Sequence, residues 1–288
     1  MSSVMTGGLL AVHAHPDDET ITMGGTLARY SAAGVRTVVV TCTTGDQGEV
    51  SDPSLVGESL PAIGSDEPLA GQSLAAVRSA ELLAAAGMLG VHRVVQLGYG
   101  DSGMAGTPEN DRPTAFCRID LSEAVRRLVR VLDEERPAVM VGYDETGGYG
   151  HPDHVRAHEL AVAAYDAAPP AIRPPRLFFV RFPLTWSRSF VEALRAAGID
   201  APGSAPAGGD AGPSVREIGV PDDLVTTTID VRAYISLKRA ALACHASQMP
   251  PTHFLRSMPE SLAERLWSHE FFSQERPRNE PFLITSLM

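Results

Sequence analysis

The stretch LLAVHAHPDDE, residues 9–19, decides how the rest of the chain is read. Residues 9–12 form a short apolar run, of strand length rather than helix length. Directly behind it come two histidines, a proline and three carboxylates, so the strand is expected to open into a polar loop at its carboxyl end. Residues 24–33 read as the next helix, with Gly34 as a C-terminal stop. Residues 35–42, rich in Val and Thr, read as a second buried strand.

The same alternation continues outward. A helix is expected over 78–89, a strand over 93–97, and an amphipathic helix over Leu121–Glu135 with Pro137 behind it. A strand over 138–143, a helix over 154–168 and a strand over 176–182 follow. Strands alternating with helices imply parallel βαβ units, hence a doubly wound α/β fold. Residues 201–214 are packed with Gly, Pro, Ala and Ser and predict a flexible surface loop. A strand is expected over 226–231 and a helix over 235–246; the tail from Pro250 shows no clear period. There is no internal repeat. The expectation is one domain over 1–288, with a core over about residues 8–183 and a smaller C-terminal part, about 215–288, packed on it.

Composition narrows the function classes. The chain has 288 residues, 44% of them hydrophobic, and a net charge of −11 without a basic run. A nucleic-acid partner is therefore not expected, because displacing phosphate counterions needs clustered Lys and Arg. No apolar stretch approaches a membrane span and no basic, apolar leader is visible, so a cytoplasmic protein without membrane partners is expected. Cys42, Cys117 and Cys244 are odd in number and lack a CxxC, which predicts reduced thiols. Homo-oligomerisation is left open.

Two histidine–carboxylate clusters carry the chemistry: HAHPDDE (13–19) and GGYGHPDH (147–154). Each follows a predicted strand and precedes a predicted helix, so both should lie at the carboxyl ends of parallel strands, where such folds bind ligands. Imidazole and carboxylate suit a catalytic zinc, which takes three protein ligands and keeps one position for water. Adjacent Asp17 and Asp18 allow one to bind metal and the other to accept a proton. Taken singly, the same residues have blander uses. Either Asp could cap a helix. His151 and His154 could be surface histidines, and His158 reads as one. His13 reads as buried or supporting rather than a ligand. Arg78 and Glu81, at i,i+3, could be a surface ion pair, and Asp101 a turn former. No GxGxxG, P-loop or GxSxG is present, which leaves a nucleotide-sugar transferase or a serine hydrolase without support.

The paired motifs at this separation resemble the PIG-L/LmbE-like zinc-dependent N-deacetylases. The resemblance extends over VTCTTGDQGEV (40–50), the Arg78–Glu81 helix, GDSGMAG (100–106) and AxHASQ (243–248). It implies a Rossmann-like, mostly parallel sheet with helices on both faces. It implies zinc held by His15, Asp18 and His154, a set that Fe²⁺ or Co²⁺ could also use. It implies Asp17 as general base, and His151 stabilising the oxyanion or protonating the leaving amine, oriented by Asp153. Tyr149 would polarise the carbonyl. Arg78 and Asp101 would hold the sugar and its aglycone, with Glu49 in a nearby loop. Among family members, the actinobacterial mycothiol enzymes are similar to this chain. DSGMAG, NDRPTAF (110–116) and Thr22 resemble the N-acetylglucosaminyl-inositol deacetylase; AERLWSHEFF (263–272) and AVAAYDAA (161–168) resemble the mycothiol S-conjugate amidase. The expected activity is removal of an N-acetyl group from a glucosaminyl substrate. The alternatives are the amidase reaction, N-deacylation of a glycosylated natural product, and a non-catalytic sugar-binding protein.

Overall fold

Five parallel strands alternate with helices, as the apolar runs require. The structure, a computed structural model, describes residues 7–50, 73–199, 218–277 and Leu287. In chain order the first elements are β1 (Leu9–His13), α1 (Asp18–Ala32), β2 (Thr37–Thr43), α2 (Leu74–Met88), β3 (Arg93–Tyr99) and α3 (Leu121–Glu135). Then come β4 (Val139–Gly142), α4 (Pro152–Ala167), β5 (Arg176–Arg181), α5 (Leu184–Ala196), β6 (Thr227–Asp230) and α6 (Ile235–Cys244). The short helices α7 (Phe254–Ser257) and α8 (Glu260–Leu266) lead into β7 (His269–Arg276). The sheet order is β3-β2-β1-β4-β5-β7-β6. Strands β1 to β5 run parallel, while β7 pairs antiparallel with both β5 and β6.

Alternation along β1 divides the core. Leu10 and Val12 face α3 and α4, meeting Leu128, Leu132, Leu160 and Ala164. Leu9 and Ala11 face the other way, onto Met23 and Leu27 of α1 and Ala241 of α6. Both faces of a parallel sheet are thereby covered, which is why its strands read as continuous apolar runs. A third cluster joins α5, α6 and α8 through Phe190, Leu242 and Leu266. Among the described residues, no helix is long and apolar enough to cross a membrane.

Several boundaries and elements depart from the sequence expectation. Helix α1 starts at Asp18 rather than 24 and is broken at Met23 (φ −147°, ψ 24°). The break frees the amides of Gly25 and Thr26, which donate to the Glu270 carboxylate at 3.0 and 2.7 Å. Lys238 closes the kink by donating to Ile21 O at 2.9 Å and to Glu270 at 2.7 Å. Helix α2 begins four residues earlier than expected, at Leu74, capped by Ser73. The tail that showed no period supplies α7, α8 and β7, and α5 was likewise unmarked in the sequence. The loop expected over 201–214 lies outside the described residues.

Candidate functional site

The chain builds β1, β2 and β3 outward in one direction, then returns to add β4 and β5 on the other side of β1. The order reverses between β1 and β4, where the diverging connections leave a crevice at the carboxyl ends of the strands. Both histidine–carboxylate loops open into it: one joins β1 to α1, the other β4 to α4.

Three atoms from these loops face one another. His15 Nδ1 lies 3.3 Å from Asp18 Oδ2. His154 Nε2 lies 3.4 Å from the same oxygen and 3.2 Å from His15 Nδ1. The outer ring nitrogens fix the tautomers. His15 Nε2–H donates to Asp153 Oδ2 at 3.2 Å, and His154 Nδ1–H donates to Gly147 O at 3.0 Å. In the neutral rings both inner nitrogens therefore present lone pairs, beside a carboxylate oxygen. Such convergence is repulsive unless a cation or proton sits among them. Edges of this size match a tetrahedral centre with bonds of about 2.0–2.1 Å, and a carboxylate behind a ligand histidine is the usual support of such sites. The residues therefore fit a divalent metal. Burial opposes charge on His15, but hydrogen bonds to Asp101, Asp153 and Asp18 outweigh it and raise that imidazole well above its ordinary range.

Local backbone chemistry sets this geometry. Gly147 has φ 64°, and a Cβ there would meet His154 Cβ at 2.5 Å, so only glycine lets the loop close on its histidine. Asp144, unmarked in the sequence, accepts from Thr146 and Gly148 amides at 2.9 and 3.0 Å and shapes the same loop. Arg181 ties it down at 2.8 Å. Tyr143 stacks on His154 with centroids 4.4 Å apart, and its hydroxyl accepts the Ala14 amide at 3.1 Å.

Asp17 stands beside the cluster in a backbone conformation that side chains avoid, with φ 133° and ψ −27°. Glu19 Oε2 accepts its amide at 3.1 Å. Glu19 is fully buried and is held in turn by Thr20 at 2.5 Å and by His245 Nε2 at 3.2 Å. Arg78 donates to Asp17 Oδ2 at 3.1 Å, Pro16 O at 2.8 Å and Gly45 O at 2.8 Å. Burial raises the Asp17 carboxyl to about 6, against the pull of Arg78.

His151 caps α4: its Nδ1 accepts the Asp153 amide at 3.1 Å. That leaves Nε2–H as a donor. Burial, then repulsion from the neighbouring His15, holds its pKa at about 3, so the ring is neutral. The Asp153 carboxylate does not reach His151; it bonds His15 and the amide (2.8 Å) and hydroxyl of Ser102. Asp153 thus supports His15 through its side chain and His151 only through its amide. Asp101 lies 3.6 Å from His15 Nε2 and accepts the Gly103 amide at 2.8 Å. Burial opposes the Asp101 charge, but His15 outweighs it and holds this carboxyl well below the usual range.

His15, Asp17, Asp18, Glu49, Arg78, Asp101, Tyr149, His151 and His154 all line one cavity of about 950 Å³. Asp153 sits behind it. Tyr149 is 39% exposed at its rim, with its ring 4.9 Å from that of His154. One alternative is set aside and one expectation is corrected. Arg78 and Glu81 are buried and do not pair; Glu81 instead accepts the Ser247 amide and hydroxyl, both at 2.7 Å. His158 is half-buried rather than at the surface, donating to Tyr143 O at 2.9 Å and packing on Phe179. Ser102, Asp144, Glu19 and His245 were not singled out as site residues in the sequence. Ser102 lies in GDSGMAG and His245 in AxHASQ, whose polar character inside otherwise ordinary segments was the available signal.

The pattern of the PIG-L family, GlcNAc-PI de-N-acetylase, matches residues 10–165. The chain is 42% identical to the 1D-myo-inositol 2-acetamido-2-deoxy-alpha-D-glucopyranoside deacetylase of Geodermatophilus obscurus, covering 92% of this chain and 90% of that protein. It is 41% identical to the enzyme of the same name from Nocardia farcinica, covering 97% and 93%. Among solved structures, N,N'-diacetylchitobiose deacetylase from Pyrococcus horikoshii superposes with a TM-score of 0.59 at 21% identity, over 93% of this chain and 83% of that one. The 4-carboxy-2-hydroxymuconate hydratase of Pseudomonas putida does so with 0.58 at 20% identity, over 96% and 98%. A hydratase and a deacetylase share this architecture, so the fold alone does not fix the reaction.

Proposed function

We propose that this chain, which belongs to the PIG-L family of GlcNAc-PI de-N-acetylases, is a zinc-dependent amidohydrolase that removes the acetyl group from N-acetylglucosaminyl-inositol. One observation carries the reading. His15 Nδ1, Asp18 Oδ2 and His154 Nε2 converge within 3.2–3.4 Å, and the carboxylate of Asp17 lines the same cavity without joining them. Three N/O ligands suit Zn²⁺, and Fe²⁺ or Co²⁺ accept the same set. A bound metal of this kind supplies Lewis acidity, making water a stronger acid and an amide carbonyl a better electrophile.

The chain's own residues do the rest. Asp17, ionised at neutral pH, accepts the proton of the attacking water while its oxygen adds to the carbonyl carbon. Neutral His151 donates its Nε2–H to the carbonyl oxygen as charge gathers there, which is where a positioned donor contributes most. Tyr149 reaches the same region from the rim. When the C–N bond breaks, the proton held by Asp17 passes to the amine nitrogen. A ring held at about 3 is not an acid at working pH, so His151 is assigned the oxyanion and Asp17 the amine. Arg78, Asp101 and Glu49 line the side on which the sugar is held.

The test is release of free amine from N-acetylglucosaminyl-inositol, with elemental analysis of the same preparation. About one metal per chain is expected, with loss of activity on chelation and recovery on adding Zn²⁺. His15→Ala and His154→Ala should lower metal content. Full occupancy in both variants refutes the ligand set. A metal-loaded protein that leaves the acetylated sugar intact refutes the substrate, and a higher kcat/KM on a mycothiol S-conjugate transfers the reading to the amidase.

A further inference from the structure

The loop that leads to His154 is held from the neighbouring strand. Strands β4 and β5 pair in parallel up to Gly142 and Phe179, and continuing that register puts Arg181, the last residue of β5, opposite Asp144. The guanidinium carbon of Arg181 lies 5.6 Å from the centroid of the Phe179 ring, and His158 packs on the same ring while donating to Tyr143 O at 2.9 Å. Tyr143 and Asp144, which lead from β4 into the loop, are thus both bonded by side chains resting on one ring of β5. Arg181 and Asp144 are buried. In a buried ion pair desolvation offsets the attraction, so the pair is a weak source of net stability. Its use here is placement.

The two oxygens of Asp144 take different partners. Oδ2 accepts from Arg181 Nη1 at 2.8 Å. Oδ1 accepts from the Thr146 amide and hydroxyl at 2.9 and 2.7 Å, and from the Gly148 amide at 3.0 Å. The Gly148 N–H and the Gly147 C=O belong to one planar peptide unit. That carbonyl accepts His154 Nδ1–H at 3.0 Å. Hydrogen bonds therefore run in series from Arg181 through Asp144 and a single peptide to the imidazole. A carboxylate on the N–H end polarises the peptide and makes its carbonyl a stronger acceptor. We propose that Arg181 and Asp144 are positioning residues for the metal site: through the peptide between Gly147 and Gly148 they hold the His154 ring with Nε2 turned to His15 and Asp18, and so set metal affinity. This rests on His154 being a ligand, as in the proposed function.

Zinc affinity, measured on metal-free protein by competition with a chelating dye and well below each variant's melting temperature, tests the proposal without any turnover. Loss of the outer hydrogen bond of a ligand histidine weakens metal binding about 10–100-fold, and that loss is expected for Asp144→Ala. Asp144→Asn is nearly isosteric, so it keeps the packing, but its one acceptor oxygen cannot serve both the loop and Arg181. It should weaken zinc by about tenfold, and it decides the matter if the alanine variant does not fold. Arg181→Met should weaken zinc as well. Arg181→Lys should recover most of the affinity, because the bond to Asp144 is a single one that a point cation can replace. Glu275→Gln removes the other carboxylate near Arg181, at 3.3 Å, without touching Asp144, and should leave zinc affinity unchanged. In zinc-loaded protein the His154 Nδ1–H should give a slowly exchanging proton signal in the wild type and in Arg181→Lys, and lose that protection in Asp144→Asn.

Folded Asp144→Asn or Arg181→Met with wild-type zinc affinity overturns the proposal. So does Glu275→Gln as weak as the Asp144 variants, since the effect would then come from the packing of β5 on β7 rather than from the bonded series. His154→Ala keeps this separate from the ligand assignment. If that variant also binds zinc as tightly as wild type, the ligand set of the proposed function fails. If it loses zinc while the Asp144 and Arg181 variants keep it, the ligand set stands and the positioning role is refuted.

Discussion

Removing the Glu19 carboxylate should disable the base without touching the metal. Asp17 holds φ 133° and ψ −27°, a conformation that costs a non-glycine residue about 1–3 kcal/mol. Its amide donates to buried Glu19 Oε2 at 3.1 Å, and hydrogen bonds to charged groups contribute about 1.5–3 kcal/mol. The two terms are of equal size, so the Glu19 bond is what makes the strained geometry the preferred one. In Glu19→Ala the strain is no longer offset, and Asp17 should leave its productive position most of the time. At about 1.4 kcal/mol per factor of ten, kcat should fall ~10–100-fold. KM should stay within about threefold, since no sugar contact is lost. Metal content should be unchanged, because His15, Asp18 and His154 do not bond the Glu19 side chain. Glu19→Gln keeps an oxygen for the Asp17 amide and can meet His245 through the other ring tautomer; it should recover most of the activity. Steady-state kinetics with elemental analysis, on protein shown by thermal melting to be folded at the assay temperature, decides the matter. A folded Glu19→Ala with kcat near wild type refutes the reasoning. So does Glu19→Gln as slow as the alanine variant, which would make the negative charge, not the acceptor, the requirement.

Asp17→Asn should keep the metal and lose ~10²-fold or more in kcat. Because the base works ionised, kcat/KM of the wild type should be full above the Asp17 pKa and fall about tenfold per unit below it. Burial sets that value at about 6 in the metal-free protein and a neighbouring dication lowers it, so the limb should lie at or below pH 6 and vanish in Asp17→Asn. Gly147→Ala brings a Cβ to 2.5 Å from His154 Cβ at φ 64°, and should cut metal affinity, read by competition with a chelating dye. Glu270→Ala leaves Lys238 buried and unpaired and two amides of α1 without acceptors. It should cost about 3–5 kcal/mol in urea denaturation, and a loss under 1 kcal/mol would show that the kink relaxes.

The legible part of the fold was the part that apolar burial writes into neighbouring residues. Strands β1, β2, β4 and β5 are covered on both faces and β3 is half-buried at the edge, so each is a local run rich in Val, Leu or Phe, and each was visible. Strand β7 was not. It reads HEFFSQER, yet Glu270, Ser273 and Gln274 are buried along with Phe272. Its polar side chains are satisfied by residues far away in sequence: Glu270 by Lys238 and the α1 kink, Ser273 by Arg181. A strand whose buried face is polar carries no hydrophobic period. The start of α1 was misread for a related reason. Gly24 and Gly25 look like a boundary, but Gly25 is there because a Cβ would meet Val231 at 2.6 Å, a long-range contact.

The site shows the same division between what is local and what is not. HAHPDDE contributes two of the proposed ligands and the proposed base, but two ligands do not define a metal centre. GGYGHPDH contributes the third proposed ligand and the proposed neutral donor, and alone it looks like a capped helix. Neither loop needs the other sequence nearby; it needs β1 and β4 to be neighbours, which the return of the chain at β4 provides. That pairing is why two motifs far apart could be read together once parallel βαβ order was inferred. The supporting shell has no such rule. Ser102 reaches Asp153, and His245 reaches Glu19, from loops after β3 and α6. Each makes polar contacts whose partner is fixed only by packing. The base's backbone strain depends on that shell, so the sequence names the catalytic groups while the long-range contacts hold them in working geometry.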